Sequence, residues 1–171
     1  ASQSASSVSG ITVANAANSI DGNLTNYTTI TCSGTGVQAA TETFTFGITS
    51  THSNSNFVAK YKVQTSSGVT DRNVIVTLTA DGKSDANTHT STTSDTSVEI
   101  SNLSEGTTSA TLTMAFNHNT LGTESYSIVV RLYEMYVSYA VYGDDQDVVY
   151  SATDGPAANS NWDSSGGTVL T

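Results

Sequence analysis

Phe57-Val58-Ala59-Lys60-Tyr61-Lys62-Val63-Gln64 alternates strictly, with Phe57, Ala59, Tyr61 and Val63 in one phase and Val58, Lys60, Lys62 and Gln64 in the other. Successive side chains of an extended chain point to opposite faces, so a two-residue period describes a strand with one buried and one solvated side. The same rhythm spreads outward from this stretch. Phe44, Phe46 and Ile48 alternate with threonine on one side of it. On the other side Val74, Val76, Leu78 and Ala80 share a face, then Val98 and Ile100, then Ala110, Leu112, Met114 and Phe116. No segment keeps a helical 3.6-residue period. Ser66-Ser67-Gly68, Asp81-Gly82, Ser104-Glu105-Gly106 and residues 117–122 punctuate the runs with turn formers. Short strands at this spacing predict an all-β fold, a single antiparallel β-sandwich or jelly roll with an extended N-terminal strand. The domain spans residues 15–171, and residues 1–14 form a tail.

The stretch from Ser125 to Gly143 is too long for an ordinary strand, and its apolar phase changes. Tyr126, Ile128, Val130 and Leu132 hold one face, whereas Tyr133, Met135, Val137, Tyr139 and Val141 hold the other. A one-residue slip exchanges faces, so a bulge or corner is predicted near Arg131–Glu134. Either a bent strand moves between sheets there, or two strands meet. Six of the eight tyrosines fall between Tyr126 and Tyr150. They read as an aromatic core strand with hydroxyls reaching the surface, or as a subunit contact through Tyr133, Tyr136, Tyr139 and Tyr142. The polar stretch Asp81–Ser97 reads as a surface loop.

Composition narrows the function. Only 12% of the 171 residues are charged, and serine and threonine make up roughly a third of the chain. The surface is therefore hydroxylic rather than ionic. A net charge of −10 with five lysines and arginines argues against nucleic acid, which is held by cations that displace phosphate counterions. It equally disfavours anionic membrane surfaces, and no apolar run approaches the ~18 residues of a membrane span. The start at Ala1-Ser2-Gln3-Ser4-Ala5 resembles a mature terminus after removal of a secretion signal, which places the chain outside the cell or on its surface.

Candidate chemistry is sparse. Cys32, the one cysteine, shares a strand face with Ile30 and reads as a buried thiol. His52, His89 and His118 are scattered through polar sequence and read as surface residues. There is no nucleophile elbow, phosphate loop or dinucleotide fingerprint, so no catalytic residue is assigned and the chain reads as non-enzymatic. Lys60 and Lys62 occupy the outward phase, which disfavours a buried isopeptide cross-link. Asp144, Asp145 and Asp147, followed by Asn159, Asn161 and Asp163, place oxygen donors at close spacing in loop-like sequence and form a candidate Ca²⁺ site. Asp81, Asp85 and Asn87 form a weaker one. No other cofactor is expected. Asn23, Asn26 and Asn102 begin Asn-x-Ser/Thr triplets, the acceptor pattern for N-linked sugar.

The segment Gly10-Ile11-Thr12-Val13-Ala14 offers a short strand that completes its own sheet or a neighbour's. A flexible N-terminal strand on one Ser/Thr/Asn-rich β-domain without catalytic motifs resembles the donor-strand filament subunits, of the archaeal thread and bundling-pilus type and the TasA-type matrix fibres. The resemblance implies a structural subunit whose partners are copies of itself. Val8, Ile11 and Val13 would lie along the donated strand, with Ile11 and Val13 pointing inward. A carbohydrate-binding or adhesin module with glycan partners, and a coat or capsid-like protein, remain the alternatives.

Overall fold

In the computed structural model the described residues are 10–36, 38–66, 72–119 and 125–139. The chain divides into two units, Ala1–Tyr139 and Ala140–Thr171, and every described residue belongs to the first. Nine strands run through these residues. They are β1 (Ile11–Ala14), β2 (Thr28–Thr35), β3 (Gln38–Gly47), β4 (Ser55–Thr65), β5 (Arg72–Ala80), β6 (Lys83–His89), β7 (Thr96–Leu103), β8 (Ser109–His118) and β9 (Ser125–Ser138). One sheet has the order β1-β2-β9-β4-β7 and the other β3-β8-β5-β6, with every pairing antiparallel. From β2 to β9 consecutive strands change sheets except at the β5–β6 hairpin, which makes the eight strands a jelly roll with β1 added at one edge.

The alternation read from sequence is the alternation that builds the core. Phe44, Phe46, Val76, Leu78, Leu112 and Met114 of the four-stranded sheet face Ile30, Tyr61, Val63, Ile128, Val130 and Leu132 of the other, all buried. Cys32 is buried among them, and burial raises its thiol above the ordinary value. Lys60 and Lys62 take the outward phase, as expected.

The bulge falls where the phase change put it. Lys60 pairs with Glu134 and Tyr61 with Leu132, so Tyr133 is the extra residue on β9. Leu132 points inward before it and Met135 inward after it, which keeps both apolar rows in the core. The strand neither moves to the second sheet nor splits in two, because β4 supplies partners on both sides of the bulge.

Two sequence expectations are corrected. Asp81–Ser97 is not simply a loop, since Lys83–His89 forms β6 and pairs with β5 along its whole length. As an edge strand it buries little, so it carries no apolar row, and its polarity conceals it. Asp81 and Gly82, at φ 54° and 69°, make the two-residue hairpin turn that feeds it. Nor are the histidines uniformly on the surface. β8 carries its inward phase as far as His118, which is 1% exposed and stacks on Tyr126 at 4.3 Å while Nδ1 donates to the Gly36 carbonyl at 2.7 Å. His89 is half-buried, and its Nε2 lies 2.8 Å from the Tyr61 hydroxyl. His52 is exposed and stacks on Tyr139 at 4.6 Å.

Candidate functional site

The outward face of the five-stranded sheet carries the chemistry. Side chains there run in cross-strand rows. Glu99, Val58 and Tyr136 form one, Ser97, Lys60 and Glu134 the next, and Lys62, Arg131 and Thr29 the one after, with the Tyr133 bulge between the last two.

A loop closes over this face from the β1–β2 connection. Its sequence, Asp21-Gly-Asn-Leu-Thr-Asn26, is rich in residues whose side chains imitate backbone turns. Asp21 Oδ1 accepts from the Asn23 amide at 2.8 Å, and Asn23 Oδ1 accepts from the amide and hydroxyl of Thr25 at 2.9 and 2.7 Å. Asn26 Nδ2 donates back to Asp21 Oδ2 at 2.9 Å. At the base of the loop the buried Thr28 hydroxyl lies 2.9 Å from the carbonyls of Asn15 and Ala16, which ties a 3-10 turn at Ala16–Ile20 to β2. The Gly22 amide donates to Glu134 Oε2 at 3.1 Å, fixing the loop to the sheet. Burial under the loop pushes the Glu134 carboxyl above its ordinary value, against the pull of the backbone donors.

Between loop and sheet lies an open groove of about 360 Å³ lined by Leu24, Lys60, Asp95, Thr96, Ser97 and Tyr133. That volume is at the lower end of small-molecule sites, about 300–1000 Å³. Leu24, at the loop tip, is 55% exposed. The Tyr133 ring packs edge-on against Tyr27 at 5.8 Å, and the Arg131 guanidinium lies 4.9 Å from the Tyr27 ring centre. Lys60 Nζ lies 5.6 Å from the Tyr136 ring centre. Burial, the Asp95 charge and a hydrogen bond to that carboxylate raise the Tyr133 hydroxyl above its ordinary value. One wall is therefore apolar and aromatic, while the other offers hydroxyls, a carboxylate and an ammonium.

The other candidates fall out differently. Ile11 and Val13 sit half-buried against the core on β1, opposite Cys32 and Ile30, while Val8 lies outside the described residues. Tyr133 lines the groove, Tyr136 lines a separate smaller cleft with Ile20 and Phe57, Tyr139 stacks on His52, and Tyr142 is outside the described residues. Asp144, Asp145, Asp147, Asn159, Asn161 and Asp163 also lie outside them. Among the described residues no three His, Cys, Asp or Glu gather into a metal-binding group. The weaker oxygen set is taken apart by other bonds. Asp81 accepts from Ser104, Asp85 from the Glu99 amide, and Asn87 donates to the Ser97 carbonyl. Of the three Asn-x-Ser/Thr triplets, Asn23-Leu-Thr25 is exposed throughout, whereas the other two include the buried Thr28 and Leu103. Leu24 and Asp95 escaped the sequence reading, because nothing local joins residues this far apart.

No family model matches the chain, and neither does any curated protein. Solved structures do resemble it. TmCBM61 in complex with beta-1,4-galactotriose is 9% identical, with a TM-score of 0.47, over 79% of this chain and 86% of that one. The enzymatically active domain of tailspike protein 4 from bacteriophage CBA120 is 15% identical, with a TM-score of 0.41, over 79% of this chain and 19% of that one. The N-terminal cellulose-binding domain from Cellulomonas fimi beta-1,4-glucanase C is 10% identical, with a TM-score of 0.36, over 78% and 91%. With each of these TM-scores below 0.5, the likenesses carry no inference about ligand. No helix among the described residues is long and apolar enough to cross a membrane.

Proposed function

We propose that this chain is a non-catalytic, exported glycan-binding module that holds sugar in the groove beside Tyr133. The observation that carries the reading is the groove's pairing of an aromatic wall with a polar one. A sugar ring is amphipathic, with C–H faces that pack on aromatic edges and planes and hydroxyls that need donors and acceptors around the rim. Tyr133 and Leu24 supply the first surface. Lys60, Asp95, Thr96 and Ser97 supply the second. Affinity electrophoresis of the whole chain through gels carrying neutral or acidic polysaccharides tests this. Retardation by at least one polysaccharide, abolished by Tyr133→Ala, supports the reading, and free migration through all of them overturns it.

A second reading, assembly with copies of itself, draws support from the C-terminal half of β9 in the same sheet. Past Leu132 no described strand pairs with β9 on its β2 side, where the 3-10 turn Ala16–Ile20 packs instead, and a cleft of about 140 Å³ lies there, lined by Ile20, Phe46, Phe57, Met135, Tyr136 and Val137. The occupant in this reading is the N-terminal strand of a second copy, released from β2 and inserting Ile11 and Val13. Mass measurement by light scattering, with and without residues 1–14, tests it. Assemblies lost on truncation support it, and a monomer in both samples ends it.

A further inference from the structure

We infer that the groove takes an anionic sugar, one bearing a carboxylate or sulfate; this rests on the glycan reading of the same groove. The argument is an accounting of cations. The chain has five, in a molecule of net charge −10. Arg72 is buried and donates to the Ser66 carbonyl, and Lys83 pairs with Asp81 at 3.3 Å on a distant turn. The remaining three, Lys60, Lys62 and Arg131, all lie on the one outward face beside the groove.

Lys60 lies opposite Glu134 and near the Tyr136 ring, and Arg131 near the Tyr27 ring, but the juxtaposition of Lys62 with Arg131 carries a cost without a ligand. Lys62 and Arg131 are direct cross-strand partners, and like charges directly opposite one another destabilise a sheet. Eight acids lie among the described residues, yet none of them forms an ion pair with any of the three. The acids nearby are engaged elsewhere or lie off the row. Glu134 is covered by the loop and holds the Gly22 amide, Asp21 holds Asn23 and Asn26, and Asp95 stands off the row in the groove wall beside Tyr133. Glu99 lies beyond Lys60, in the Val58 row.

Distance decides how the overall negative charge weighs against this. Screening confines interactions between exposed charges to about 8 Å at physiological salt, so a bound anion feels the three cations and the single Asp95 carboxylate of the groove wall more than the remote carboxylates. An anionic group held between Lys62 and Arg131 relieves their repulsion, while the attached ring rests on Tyr133. Arginine adds a forked donor matched to two oxygens of a carboxylate or sulfate.

Calorimetric titration of the full chain with an oligogalacturonate, a sulfated oligosaccharide and a neutral galacto-oligosaccharide, at low and high salt, tests the inference. We expect one or both anionic sugars to bind about tenfold or more tighter than the neutral one, the advantage falling with salt. Lys62→Gln and Arg131→Gln should each reduce the advantage of the anionic sugar over the neutral one. The responding anionic sugar tells carboxylate from sulfate. Equal affinity for the neutral sugar, or indifference to salt and to both variants, would overturn the inference and leave the glycan reading standing. Binding of inorganic polyphosphate as tightly as any sugar would overturn it too, by showing ion exchange. No binding to any sugar defeats both readings.

Discussion

The two sheets share one core and turn opposite kinds of surface to solvent. On the four-stranded sheet the outward rows are Thr45, Thr111, Thr79 and Ser84, then Thr43, Thr113, Thr77 and Ala86. Hydroxyls and methyls pack side by side with no charge between them. The five-stranded sheet shows Glu99 and Tyr136, then Lys60 and Glu134, then Lys62 and Arg131. Threonine outside a strand face is what β-propensity alone asks for, because its branched Cβ suits a pleated surface. Opposed cations and a bulged tyrosine are not, and in the proposed reading that difference distinguishes the binding face from the purely structural one. The bulge matters here, since a regular strand would place no side chain where Tyr133 stands between two rows.

The comparison can be broken in several places. The largest effect should come from the core that both faces share. Leu112→Ala is expected to lower stability by about 3 kcal/mol in urea unfolding, with sugar affinity unchanged in the folded fraction. The faces themselves should then part company. Tyr133→Ala is expected to weaken sugar binding about tenfold or more in calorimetry, whereas Thr113→Val on the opposite face leaves it untouched. Equal losses from the two would erase the distinction. A smaller cost, about 1–2 kcal/mol, is expected for Thr28→Val, which removes the hydroxyl tying the groove's loop to β2.

The smallest effect is a matter of pH. The Glu134 carboxyl is raised in the folded chain by burial, so its contribution to stability is complete below the unfolded value and is lost as pH rises through the folded one. Glu134→Gln removes the titration and keeps an acceptor for the Gly22 amide. The stability of the native chain relative to this variant should therefore fall with rising pH across the weakly acid range, as followed by thermal melting. A difference that grows with pH would mean that the loop is held by the charged carboxylate.

Much of this arrangement was legible in the sequence. Phe44, Phe46, Leu112 and Met114 announced the core by alternation, and the phase change after Leu132 located the bulge. Lys60 and Lys62 were placed outward by the same rule. Strand β6 was not legible, because an edge strand that buries little needs no apolar rhythm. Nor was the inward burial of His118, since the turn formers of residues 117–122 hid that the strand and its inward phase run on to that position. The groove itself was beyond sequence reading. Leu24, Lys60, Asp95 and Tyr133 come from a loop, two strands and the entry to a third, and only the sheet order β2-β9-β4-β7 brings them together. Tyr133 had been singled out, but as a contact for another subunit.

The central claim is that the outward face of the five-stranded sheet binds sugar. Amide chemical-shift mapping of the labelled chain during titration with an oligogalacturonate tests it most directly. The account expects shifts at Leu24, Lys60, Lys62, Asp95–Ser97 and Arg131–Tyr133, with the Thr41–Thr45 and Thr111–Thr113 amides still. Shifts gathered on the threonine rows, or none on either face at saturating sugar, would contradict it.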